Sequence, residues 1–155
     1  MTKEKFKQII YLALIIIWML TVFLFSNENG NDSQNTSKFV TEKIVQILTF
    51  NQNITEEQEL ALVENTDHII RKLAHFSIYA LGGILIYNYI DTFNIKKNRK
   101  IVASIAIGIL YAAFDEFHQY FVSGRSAQIL DVCIDSLGVI IGVIFIYLIK
   151  KPLNN

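Results

Sequence analysis

Six side chains able to do chemistry lie in or at the ends of the apolar runs of this sequence: His75, Asp115, Glu116, His118, Asp131 and Asp135. Histidines and carboxylates serve as general acids and bases or hold a divalent metal, so these six are the catalytic candidates. Arg71, Lys72, Gln119 and Arg125 are the ligand-binding candidates. The cations suit a phosphate, which the two arginines can grip bidentately. Asp131 and Asp135 are four residues apart on one helical face and offer one ion two carboxylates. Oxygen ligands of that kind suit Mg²⁺ or Ca²⁺. No HExxH motif or cysteine pair offers a zinc site. The same residues also allow a purely structural arrangement, in which Arg71 and Lys72 pair with Asp131 or Glu116 and lock helices together.

The elements that carry these residues are four apolar runs, Ile9 to Phe25, Leu73 to Ile90, Ile101 to Phe114 and Ile134 to Ile149. The 155-residue chain is 52% hydrophobic with one proline, and its mean hydropathy is +0.37. A soluble domain of this size has too little interior to hide so much apolar surface. The expected fold is therefore all-α, a single membrane bundle of about four transmembrane helices over residues 1–155. Zero net charge gives no support to a nucleic-acid partner; the lipid bilayer is the expected one. Cys133 stands alone in an apolar run and reads as a small packing residue.

A spanning helix needs roughly 20 residues. The third run has only 14, so its helix must continue through Asp115, Glu116, His118 and Gln119. The fourth reaches spanning length by starting near Ile129, which takes in Asp131 and Asp135. Lys3, Lys5 and Lys7 precede the first run, which has no small-x-small cleavage site at its end and reads as an uncleaved anchor. Lys96, Lys97, Arg99 and Lys100 lie between the second and third runs, and Lys150 and Lys151 follow the fourth. Four spans put all three clusters, nine of the fourteen basic residues, on one side. By the positive-inside rule both termini are expected in the cytoplasm.

The outer segment Ser26 to Lys72 holds eight acidic and four basic residues. Within it, Lys38 to Phe50 has helical apolar spacing after the capping candidates Asn35, Thr36 and Ser37. Thr55-Glu56-Glu57-Gln58 matches a capping box. Both read as short amphipathic helices in the first outer loop. The segment also carries three sequons, at Asn31, Asn35 and Asn53, and an Asn-rich stretch from Asn27 to Asn35.

At about 1.5 Å per residue, His75, Asp115 and Asp135 all come roughly 21 to 23 Å above the basic side of a core about 30 Å thick. Three stripes at helical spacing lead to them: Arg71, His75, Tyr79 and Gly82; Gly108, Ala112, Asp115 and Gln119; Asp131, Asp135, Gly138 and Gly142. Small residues below let the helices approach, and polar residues above form a cup. Gly124 permits a tight turn that directs Arg125 back over that cup. Tyr79 and Tyr111 read as packing residues, Tyr120 as an interface anchor and His68 as a solvated residue.

The stretch from Arg71 to Gly82 resembles the first signature of the VanZ-like membrane proteins. Tyr111 to Arg125 resembles the second, and Asp131 to Gly138 the third. The resemblance extends from about Ile9 to Ile149. After the first helix, where such proteins often carry a Ser-Ser-Gln-like run, this sequence reads Phe25-Ser26-Asn27-Glu28-Asn29. The founding member is associated with resistance to teicoplanin, a glycopeptide that targets cell-wall precursors. The resemblance thus implies a bacterial plasma-membrane protein that binds or modifies an envelope component, such as an envelope lipid or peptidoglycan precursor. Three alternatives stay open: a lipid-phosphate hydrolase or transferase, a transporter, or a structural membrane protein. The transporter lacks support, because no charged residue lies deep in the lower half of the bundle. Whether the chain is an enzyme is not fixed by its sequence.

Overall fold

The computed structural model describes residues 2–52 and 54–150. The sequon residue Asn53 and Lys151 lie outside the described residues. Five helices follow in order: α1 (Lys3–Ser26), α2 (Gly30–Thr49), α3 (Glu56–Asp91), α4 (Lys97–Gln119) and α5 (Ile129–Lys150). Among the described residues there is no strand. Helices α1, α3, α4 and α5 are long and apolar enough to cross a membrane, each holding an 18-residue stretch whose mean hydropathy is 2.6, 1.4, 1.4 and 2.6 in turn. The two lower values belong to the helices that carry His75 and Asp115. As expected, α4 continues through the polar residues to Gln119 and α5 begins at Ile129.

α3 packs against all four other helices; it runs antiparallel to α1 and α4 and parallel to α5, with contacts that rise in register from Lys72–Asp131 to Asp91–Lys150. Its 36 residues extend about 54 Å, well beyond a bilayer core of about 30 Å. Thr55 caps its start: the side chain accepts from the Gln58 N–H while Gln58 reaches back to the Thr55 N–H. No break separates this capping box from the second span, so the expected short helix there is the first part of α3. The other amphipathic helix also differs from expectation. It starts at Gly30, capped by Asn29, rather than after Ser37, and takes in much of the Asn-rich stretch. Asn29 accepts from the Asp32 N–H at 3.0 Å, which starts the helix before its apolar spacing begins.

The core gathers Trp18 and Val22 from α1, Tyr79, Ile86, Tyr87 and Ile90 from α3, Ala112 from α4, and Val139 and Val143 from α5. The predicted small residues are where helices touch. A Cβ on Gly142 would lie 2.0 Å from the Ala80 carbonyl oxygen, and one on Gly138 2.4 Å from that of Phe76. α3 and α5 therefore meet backbone to backbone. Most other large apolar side chains point away from the bundle, Leu110, Ile144 and Leu148 among them, as a lipid-facing surface requires. Cys133 is exposed on that surface instead of packed inside. Space at the helix interfaces is taken by the glycines and by Asp135, and the thiol falls on the other face of α5.

At one end of the bundle, Lys100 and Lys150 both hold Asp91, at 2.8 and 3.0 Å. Antiparallel packing brings Lys3, Lys5 and Lys7 to this same basic end. At the opposite end, α2 lies against the part of α3 that precedes the apolar run. Val45 and Val63 are buried there, and Thr41 and Ser37 donate to the Asp67 carboxylate.

Candidate functional site

Two adjoining cavities occupy the end opposite Lys100 and Lys150. The first, about 230 Å³, lies among α1, α2 and α3. Val22, Phe25, Val40, Ile70, Ala74 and Ile78 give it apolar walls. Ser26, Tyr79, His75 and Asp115 also line it. The second, about 190 Å³, is polar and includes Lys72, Glu116, Gln119, Asp131 and Asp135 in its lining. Ser33, Arg71, His75 and Arg125 line both cavities and form the wall between them.

His75 and Asp135 face each other across the α3–α5 seam. Nδ1 and Oδ1 are 3.8 Å apart, beyond a direct hydrogen bond but close enough for one to form on a small movement. Asp135 is buried and its Oδ1 has no partner. On α4, Asp115 is buried and accepts from Gln119 Nε2 at 3.1 Å. Gln119 Oε1 in turn accepts from Arg125 at 3.2 Å, so Arg125, Gln119 and Asp115 form a chain. Lys72 pairs with Asp131 at 2.9 Å, as the structural alternative expected. Arg71 pairs along its own helix with Asp67 at 2.9 Å, not with Asp131 or Glu116. Its Nε is buried without a partner.

Other expected members serve elsewhere. Glu116 Oε1 accepts the Gln128 backbone N–H at 2.6 Å, just ahead of α5. A carboxylate at a helix N-terminus is favoured by the helix dipole, which gives Glu116 structural work. His118 stacks on Phe23 at 4.7 Å and lines neither cavity. Asp131 is held by Lys72, whereas Asp135 faces His75 across the seam without a direct bond. Among the described residues, no three His, Cys, Asp or Glu side chains gather as a metal would require.

The Gly124 turn forms as expected, with φ +75°. Arg125 lines both cavities beside the carboxylates but pairs with none of them directly. Its guanidinium donates to the carbonyls of Phe25 at 2.6 Å and Glu28 at 3.0 Å, where α1 ends. Helix C-termini present unpaired carbonyls, and a cation there is doubly favoured. Burial lowers the Arg125 pKa, but an arginine stays charged in a protein.

Sequence reasoning missed three participants. Asp67 lies four residues before Arg71 on the His75 stripe, and extending that stripe by one turn finds it. Ser26 is buried in the first cavity with its hydroxyl unpaired. Tyr79 packs edge-on against Trp18 at 5.8 Å, as a core residue does, yet its hydroxyl is also unpaired and lines the same cavity. Buried polar atoms normally have partners, so unpaired groups on cavity walls mark where a ligand or ordered water belongs.

Four apolar spans over a polar chamber define a small polytopic helical membrane protein with a candidate ligand site between its helices. The VanZ/LLP1 family model matches residues 11–150, and the chain belongs to that family. No curated protein and no solved structure matches the chain.

Proposed function

We propose that the chain is a bacterial plasma-membrane protein with both termini in the cytoplasm, whose outward-facing chamber binds or modifies a cell-envelope component. Through that component it alters susceptibility to glycopeptides such as teicoplanin. The observation that carries this reading is the wall of Arg71 and His75 between two cavities, at the end opposite Lys100 and Lys150. The His75–Asp135 pair favours modification over binding alone, because a carboxylate-oriented imidazole is suited to move a proton. A divalent ion bound at Asp131 and Asp135 remains part of this reading, and would displace Lys72 from Asp131.

The test is teicoplanin susceptibility in a host that expresses the chain or its variants from a plasmid. His75→Ala and Asp135→Asn are expected to return susceptibility to the empty-vector level at normal membrane abundance. Asp115→Asn is expected to act in the same direction. Wild-type susceptibility in the His75 and Asp135 variants would remove the site from the function. No difference between the wild-type chain and empty vector would remove the glycopeptide role itself.

A further inference from the structure

The apolar cavity has no place in a site that handles only a polar group. Its walls come from three helices, two of which, α1 and α2, diverge from their short connection and scarcely touch one another. Phe25 and Val40 line the cavity and are also 52% and 45% exposed, so the space opens sideways between α1 and α2. That mouth faces the same surroundings as the lipid-facing side chains. Phe25 is the penultimate residue of α1, so the mouth sits at the edge of the bilayer's apolar layer. α2 carries Phe39, Ile47 and Leu48 exposed on its surface, as a helix lying in the membrane interface does.

The inner end of this apolar space is charged. Arg71 holds one contact to Asp67 and keeps a buried, unpaired Nε at the wall shared with the polar cavity. Lys72 is committed to Asp131, and Arg125 to the α1 carbonyls and Gln119. Among these three cations, Arg71 is the one that keeps a buried nitrogen without a partner. A planar guanidinium with free donors suits a phosphate oxygen pair. Asp67, held by Ser37 and Thr41 of α2, fixes its orientation.

We propose that the ligand is a single anionic phospholipid that enters sideways from the outer leaflet. Its acyl chain lies between α1, α2 and α3, and its phosphate reaches Arg71 and His75 at the mouth of the polar cavity. This rests on the outward orientation proposed above and adds the substrate class. The cavity's 230 Å³ falls below the roughly 300–1,000 Å³ that encloses a whole small ligand, so part of the chain stays in the bilayer. The unpaired Ser26 and Tyr79 hydroxyls then face the glycerol and ester region, where acceptors are available.

The experiment is lipid retention by the purified full chain in mild detergent, read by native mass spectrometry. The probe is dipalmitoyl phosphatidylglycerol. The wild-type chain is expected to retain one molecule, and not to retain dipalmitoyl phosphatidylcholine equally. Soluble glycerophosphoglycerol and inorganic phosphate, each in excess, are expected to leave the lipid in place. Val40→Trp narrows the mouth, Ala74→Phe fills the cavity from α3, and Arg71→Gln removes the anion contact. Each is expected to lower retention at least tenfold with unchanged elution on size exclusion. Undiminished retention in both filling variants overturns the chain site, and undiminished retention in Arg71→Gln overturns the phosphate contact. Displacement by inorganic phosphate or by the soluble headgroup would show that no chain is needed and also overturn it. Lipid retention by a chain without effect on glycopeptide susceptibility would uphold this proposal and remove the glycopeptide reading. A clear phenotype with no lipid retained would do the reverse.

Discussion

Arg125 donates to the Phe25 carbonyl in the last turn of α1, to the Glu28 carbonyl just beyond it and to the side chain of Gln119. The loop between α4 and α5 thereby fastens the end of α1, and the contact with Gln119 passes on to Asp115. Gly30 adds to this junction, its N–H donating to the Ser123 carbonyl at 3.0 Å. Lysine keeps the charge of arginine but presents a point, not a fork. Arg125→Lys is therefore expected to lose two of the three contacts. With hydrogen bonds to charged groups contributing about 1.5–3 kcal/mol each before relaxation, a net loss of about 2 kcal/mol is expected. A thermal unfolding curve in detergent checks this. Stability and phenotype should fall together for Arg125→Lys, whereas His75→Ala should lower the phenotype alone. An unchanged melting temperature would mean that the α1 clamp contributes nothing.

At the scale of elements, the seam between α3 and α5 holds His75 opposite Asp135, and two glycines set its width. Alanine is ordinarily the better helix former by about 1 kcal/mol. At Gly142 its Cβ would stand 2.0 Å from a backbone oxygen, which no rotamer change relieves. Overpacking costs about 1–3 kcal/mol, and more where backbones must part, so Gly142→Ala is expected to destabilise despite its helix propensity. Unfolding in detergent measures the sign, and a stabilised variant would mean that the helices separate freely. These close contacts were legible in the sequence, because small residues recur at helical spacing below Asp135 and below Asp115. The ends of α4 and α5 were legible for a related reason: a span needs a fixed length, and only the polar residues could supply the missing turns. The boundaries of α2 and the unbroken α3 were not legible. Asn29 starts α2 before any apolar period shows, and the Thr55 capping box marks a helix start without telling how far the helix runs. The directions of Arg71, Glu116 and Arg125 were hidden because each has several acceptors within reach, and only the packed geometry selects one.

Over the whole molecule, charge divides by end. The basic end gathers the three lysine-rich segments and ties α3, α4 and α5 through Asp91. The other end carries an acidic segment, α2 with the start of α3, and α2 borders both cavities through residues such as Ser33 and Ser37. Lysine and arginine near span ends are retained on the cytoplasmic side, while acidic residues weigh little in that choice. An even number of spans returns the chain to the side from which it began. A reporter fused after Asn155 is therefore expected to read cytoplasmic, and one inserted near Asn53 to read external. Paired phosphatase and fluorescent-protein fusions measure both. An external C-terminus would require either an odd number of spans or an inverted bundle. The two causes separate at Asn53: an inverted bundle makes that insertion cytoplasmic, whereas an odd count that leaves α1 in place keeps it external. Inversion would also carry the His75–Asp135 pair and the sideways mouth to the inner leaflet. An envelope precursor on the outer face would then be out of reach, and only a lipid of the inner leaflet would fit the cavity.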